Sequence, residues 1–105
     1  MHDIFRNKNK FRNKNKKHIR EITLVIEYKS EGGYSKGYYI NGMFHREDGP
    51  AFTLYNENGY ITCEQYIINN KLHREDGPAH IKYNEDGSIF HEAYYMNGEL
   101  HRKGS

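Results

Sequence analysis

Tryptophan is absent from this chain, cysteine occurs once, proline twice, and only 35% of the 105 residues are apolar. A deep globular core is excluded at this length and composition. The large side chains are mostly tyrosines, ten of them. Their apolar rings and wet hydroxyls suit a thin sheet with both faces near water. The lone Cys63 excludes an internal disulfide and fits a reducing compartment. No apolar run reaches the roughly 18 residues of a membrane span. The basic N-terminus lacks the apolar stretch of about 7–15 residues that marks a secretory signal. The chain reads as soluble and cytoplasmic.

Chemistry-bearing motifs are scarce as well. There is no glycine-rich phosphate loop and no nucleophile elbow. Metal-ligand spacings such as Cys-x-x-Cys or His-x-x-x-His are missing. The modest net charge of +2 conceals a division. Residues 1–20 hold eight Lys/Arg against Asp3 alone, whereas residues 21–105 hold eight against thirteen Asp/Glu, a net of −5 (8 − 13). A basic arm precedes an acidic body, and each is weighed separately.

What is present is a repeat. His-Arg-Glu-Asp-Gly-Pro-Ala stands at 45–51 and again at 73–79, and a third copy starts at His101. His45, His73 and His101 are each 28 residues apart, as are Tyr55 and Tyr83, Tyr66 and Tyr94, and Gly59 and Gly87. A fixed period of this size marks an array of one supersecondary unit. Such arrays present extended surfaces to partners. The body divides into units at about 21–38 (partial), 39–66, 67–94 and 95–105 (partial). In the first, Tyr28-Lys29-Ser30-Glu31-Gly32 echoes Tyr83-Asn84-Glu85-Asp86-Gly87, one residue short around Gly32-Gly33. Gly104-Ser105 departs from the Asp-Gly-Pro that the repeat predicts after residue 103, and reads as a cloning scar.

Near-alternation of Ile22, Leu24, Ile26 and Tyr28 with Thr23, Val25 and Glu27 predicts a strand. In the clean unit, Ala79–Tyr83 is a short strand, Asn84–Gly87 a type I turn with a G1 bulge, and Ser88–Met96 a longer strand. This pairs Tyr83 with Ile89, Ile81 with His91 and Ala79 with Ala93 on one face. His80, Lys82, Phe90, Glu92 and Tyr94 fall on the other. Upstream, Tyr55 meets Ile61 and Thr53 meets Cys63. A one-residue slip would mix apolar with charged neighbours. Asn41-Gly42 and Asn97-Gly98 signal type I′ hairpins, and Asn69-Asn70 takes the same place with more strain. Pro50 and Pro78 mark strand starts. The fold class is all-β: an elongated antiparallel meander of repeated hairpins behind a disordered basic arm at 1–20.

The unit Tyr-Tyr-x-Asn-Gly-x-Leu-His-Arg-x-Asp-Gly-Pro-Ala, matched at Tyr38 to Ala51, Tyr66 to Ala79 and Tyr94 to Arg102, resembles the MORN-repeat family in a divergent form. Its His-Arg-x-Asp-Gly-Pro-Ala variant looks like arrays in bacteriophage, bacterial and giant-virus proteins. The resemblance implies stacked β-hairpins and a scaffold or interaction role, and no catalytic residues.

His-Arg-Glu-Asp invites an acid–base reading, but a catalytic set occurs once in a protein and this one recurs at the unit period. His45, Arg46, Asp48, His73, Arg74 and Asp76 are therefore turn residues. The aspartates accept backbone N–H groups, the arginines bridge to carboxylates of a neighbouring unit, and the histidines pack in a row. Unit-equivalent histidines lie about 10 Å apart at ~4.8 Å per strand, too far for one ion. His80 faces Glu92 as a cross-strand charge pair. Neither metal, cofactor nor catalysis is expected. The candidate partner face is Tyr38, Tyr66, Tyr94, Glu64 and Glu92. Arg6, Lys8, Lys10, Arg12, Lys14, Lys16, Lys17 and Arg20, with Phe5 and Phe11 interleaved, form a candidate arm for nucleic acid or an acidic partner.

The expected function is a protein-interaction module, phage- or virus-encoded, that binds and inhibits a host protein such as a defence nuclease. A nucleic-acid binder acting through the basic arm is the alternative. Homo-oligomerisation through open sheet edges is the third reading.

Overall fold

A computed structural model describes residues 3–5 and 21–101. All of its regular elements are strands: β1 (Asp3–Phe5), β2 (Ile22–Tyr28), β3 (Tyr34–Ile40), β4 (Met43–Phe44), β5 (Phe52–Tyr55), β6 (Ile61–Gln65), β7 (Ile67–Ile68), β8 (Lys71–Leu72), β9 (His80–Tyr83), β10 (Ile89–Ala93), β11 (Tyr95–Met96) and β12 (Glu99–Leu100). Among the described residues no helix is long and apolar enough to cross a membrane. The fold is the all-β, hairpin-rich antiparallel architecture that the alternation and turn residues predict.

Asparagine decides where the short hairpins close. A two-residue loop that follows the twist of its strands needs positive φ at both central residues. Asn41 and Gly42 have φ of 53° and 78°, Asn69 and Asn70 of 49° and 66°, Asn97 and Gly98 of 52° and 84°. The hairpins so closed are β3–β4, β7–β8 and β11–β12. The longer strands form one sheet in the order β1-β2-β3-β5-β6-β9-β10, every neighbour antiparallel. Each full unit thus contributes two strands to the sheet and one short hairpin beside it. The short hairpins are joined in a row by backbone bonds: Asn70 N–H to Phe44 O (3.0 Å), Arg46 N–H to Ile67 O (3.1 Å), Gly98 N–H to Leu72 O (2.8 Å) and Arg74 N–H to Tyr95 O (3.1 Å).

The core is as thin as the composition requires. Among the described residues only Ala51, Ile67, Ala79 and Ile81 are buried apolar residues, and no large side chain is fully enclosed. Ala51 and Ala79 stand where the Asp-Gly-Pro turn re-enters the sheet, each bonded on both sides. Ala51 takes the Tyr38 N–H (2.8 Å) and gives its own to Gln65 O (2.9 Å); Ala79 does the same with Tyr66 (2.7 Å) and Ala93 (2.9 Å).

The expected register holds at the turn and fails one residue beyond it. Tyr83 faces Ile89 and Tyr55 faces Ile61, as read from the sequence. Then Lys82 faces His91, Ile81 faces Glu92 and His80 faces Ala93, while Leu54 faces Cys63 and Thr53 faces Glu64. Phe90 and Thr62, 28 residues apart, are the extra residues of two equivalent bulges. A bulge moves every later side chain to the opposite face. Glu64 and Glu92 therefore share the face of Thr53 and Ile81, and the slipped register is the real one. Contacts within the hairpin and beyond it accompany this register. Thr62 Oγ1 donates to Leu54 O within the bulge (3.2 Å), and the Tyr83 hydroxyl donates to Glu64 across β6–β9.

The same bulge relocates the gap in the first unit. Tyr28 and Tyr34 are six residues apart, as are Tyr55 and Ile61, so the turn at Gly32-Gly33 has full length. Tyr34 to Tyr38 is four residues where Ile61 to Tyr66 is five. The missing residue is the bulge residue, and β2 pairs β3 without interruption from Ile22↔Ile40 to Tyr28↔Tyr34. Two further expectations differ. The long strand over Ser88–Met96 breaks at Tyr94, between β10 and β11. Within the arm expected to lack structure, Asp3–Phe5 pair with the open edge of β2, Ile4 opposite Glu27. Residues 6–20, with all eight basic candidates, and Gly104-Ser105 lie outside the described residues.

Candidate interaction surface

Each His-Arg-Glu-Asp-Gly-Pro-Ala copy turns its charges back on itself. Arg46 lays its guanidinium over the Tyr38 ring at 4.2 Å and Arg74 over Tyr66 at 3.9 Å. The Nε groups donate to Asp48 (3.0 Å) and Asp76 (3.2 Å), and the Nη1 groups to the carbonyls of Pro50 (3.2 Å) and Pro78 (3.1 Å). This corrects the expected bridges to a neighbouring unit and the expected backbone bonds to the aspartates. A carboxylate two residues along the tight turn meets the guanidinium fork before any other partner does.

Histidine makes the link between units. His45 Nδ1 accepts the Asn69 N–H (3.2 Å) while its Nε2 faces Glu47 (3.0 Å). His73 Nδ1 accepts the Asn97 N–H (3.0 Å) and its Nε2 faces Glu75 (3.5 Å). A ring protonated at Nε2 fits the contacts of His73, whereas His45 Nδ1 also lies 3.1 Å from Asn69 Oδ1, an acceptor that an Nδ1–H would meet. The motif that most resembled acid–base chemistry is engaged in joining hairpins.

Tyr38, Tyr66 and Tyr94 are half-buried, and two of their rings carry an arginine. Glu64 accepts the Tyr83 hydroxyl, and Glu92 is exposed on β10. Burial, and then the bond to Glu64, pushes the Tyr83 hydroxyl above its ordinary value. The expected His80–Glu92 pair is not formed: the bulge puts Glu92 opposite Ile81.

The register assembles a different surface. Tyr28, Tyr34, Tyr55 and Ile61 lie opposite one another across β2, β3, β5 and β6, and Tyr83 and Ile89 repeat the arrangement on β9 and β10. Tyr34 and Tyr55 stack at 4.4 Å, and Tyr28 approaches Tyr34 at 5.6 Å. Beside this row Lys36 Nζ stands 5.4 Å over the Tyr55 ring, at the unit position where Glu64 meets Tyr83.

Between the turns at 56–60 and 84–88 opens a groove of about 590 Å³, lined by Tyr60, Ile61, Glu64, Tyr83, Glu85 and Asp86 among others. Among the described residues its lining includes three carboxylates and neither Lys nor Arg. Tyr60 is 59% exposed. Bonds from the Ser88 hydroxyl and then its N–H hold Asp86 below the usual carboxylate range, so it stays ionised. Sequence reading missed this groove. The available signal was large apolar residues within three positions after each Asn-x-x-Gly turn, Tyr60-Ile61 and then Ile89-Phe90.

On the opposite face Cys63 lies between Leu54 and Lys82, and burial pushes its thiol up. Gln65 Nε2 donates to His80 Nδ1 (2.9 Å), and the His80 ring meets His91 edge-on at 5.7 Å. Burial first, then Lys82 and His91, lowers the His80 pKa. The unfolded chain therefore binds this proton more readily than the folded one. Stability is expected to fall as pH drops below about 6.5, the free histidine value. Comparing melting temperatures of wild type and His80→Asn from pH 8 to 5 checks this, the variant giving the flatter profile.

Comparison with family models, curated proteins and solved structures finds no match to this chain. The class of protein is set by the fold itself, an all-β array of repeated hairpins.

Proposed function

We propose that this chain is a protein-interaction module, MORN-like in its repeat, whose acid-rimmed tyrosine groove holds a basic surface of a partner protein. The supporting observation is the groove itself: an exposed Tyr60 and half-buried Tyr83 flanked by Glu64, Glu85 and Asp86, with no cation among the described lining residues. Aromatic anchors inside a charged rim are the composition of binding surfaces. Charge of one sign steers a complementary partner. The finer reading is a phage- or virus-encoded inhibitor in the cytoplasm that covers the basic nucleic-acid groove of a host enzyme such as a defence nuclease.

Affinity capture from host lysate with wild type, Tyr60→Ser/Glu85→Lys and a chain lacking residues 1–20 tests it. The groove variant should lose a partner that the truncated chain retains, and that capture should weaken with salt. A partner, or nucleic acid, lost with residues 1–20 and indifferent to the groove variant would transfer the function to the basic arm.

A further inference from the structure

The repeat prescribes what the last strand of the sheet would pair with. Strands β5 and β9 occupy the same unit position, each added to the outer side of the preceding unit: β5 on β3 and β9 on β6. The outer edge of β10 has no such neighbour among the described residues. Ala93 O accepts the Ala79 N–H, so Ala93 and, by alternation, His91 bond to β9. The backbone groups of Glu92 point away from the sheet.

The equivalent strand elsewhere in the chain is β2, because Tyr28 matches Tyr55 and Tyr83 in sequence and in register, opposite Tyr34, Ile61 and Ile89 respectively. Carrying the β6–β9 register across, Cys63↔Lys82, Glu64↔Ile81 and Gln65↔His80 become His91↔Glu27, Glu92↔Ile26 and Ala93↔Val25. The pairs are chemically sensible. An imidazole meets a carboxylate, and Glu92 comes to the tyrosine of the incoming strand as Glu64 does to Tyr83. The apolar exposure agrees: Ile89 is 48% and Phe90 60% exposed at one end of the sheet, and Tyr28 42% at the other.

That second end is covered. Strand β1 pairs with Tyr28, Glu27 and Ile26, residues that the incoming β10 would use. We propose that copies of this chain join head to tail, β10 of one pairing with β2 of the next in the register of β6–β9, and that β1 is a three-residue cap competing for that edge. The contact is heterologous, so it builds a ring or an open chain of copies according to the rotation between them.

Light scattering on four full-length proteins across a concentration series tests this: wild type, Ile4→Pro/Phe5→Pro, the same with Glu92→Pro, and the same with Glu92→Lys. Proline at position 92 removes an N–H that points outward and leaves the β9 ladder intact. Circular dichroism identifies any variant that fails to fold, and the lysine variant keeps the question answerable without a backbone change. The double proline variant should form mass-increasing oligomers at least tenfold below the concentration at which wild type does, and both changes at Glu92 should return it to monomer. A double variant monomeric throughout overturns the proposal, as do oligomers indifferent to both changes at Glu92.

Discussion

Truncating Ile81 to alanine is expected to destabilise the protein by about 3 kcal/mol, within the ~2–5 kcal/mol range for a buried isoleucine. Ile81 is 5% exposed, and among the described residues the other buried apolar members of the core are Ala51, Ile67 and Ala79. A sheet with so few enclosed side chains has little to close a new void. Ile81 also separates Glu64 on β6 from Glu92 on β10, so its removal brings two carboxylates toward a shared gap. Urea unfolding followed by tyrosine fluorescence measures the loss. A total stability of about 5–15 kcal/mol, typical of single domains, makes a loss of this size conspicuous. A cost below ~1 kcal/mol would mean that Ile81 is not a centre of the core.

The second large effect is expected at Gly33. Its φ is +87°, and an added Cβ would stand 2.5 Å from Tyr55 O and 3.2 Å from the Asn56 carbonyl carbon. Both neighbours are backbone and cannot swing aside. Gly33→Ala should therefore cost about 3 kcal/mol, left-handed strain of ~1–2 kcal/mol plus the displacement of one turn against another. Gly59 is the control: its φ is +84° with nothing within 4 Å of a Cβ. Gly59→Ala should lose about 1 kcal/mol, the strain alone. Equal costs at the two positions would show that the close approach of Gly33 to the Tyr55 backbone is not a tight contact.

Much of the fold is legible in the residues because the signals are local. Asn41-Gly42, Asn69-Asn70 and Asn97-Gly98 require positive φ wherever the chain reverses in two residues, and that requirement needs no tertiary information. The structural duty of His-Arg-Glu-Asp follows from its recurrence at the unit period. The partners of those residues do not follow. Whether Arg46 reaches its own Asp48 or a neighbouring unit depends on how tightly the Asp-Gly-Pro turn curls, and the curl appears only in three dimensions.

The candidate surface was less legible, for one physical reason. A single inserted residue inverts the faces of a strand. Nothing in the local pattern at Thr62 or Phe90 distinguishes a bulge residue from an ordinary strand residue. In the unbulged register Glu64 and Tyr83 lie on opposite faces, and the row from Tyr28 to Ile89 never meets the carboxylates beside it.

By itself the sequence determined the unit, its period, its turns and the all-β class, because those rest on backbone preferences of individual residues and on spacing along the chain. Tertiary structure alone decided which side chains share a face and where a groove opens between the turns. It also decided that β1 lies along the outer edge of β2. Each of these turns on register between strands, which long-range packing selects and a local pattern does not carry.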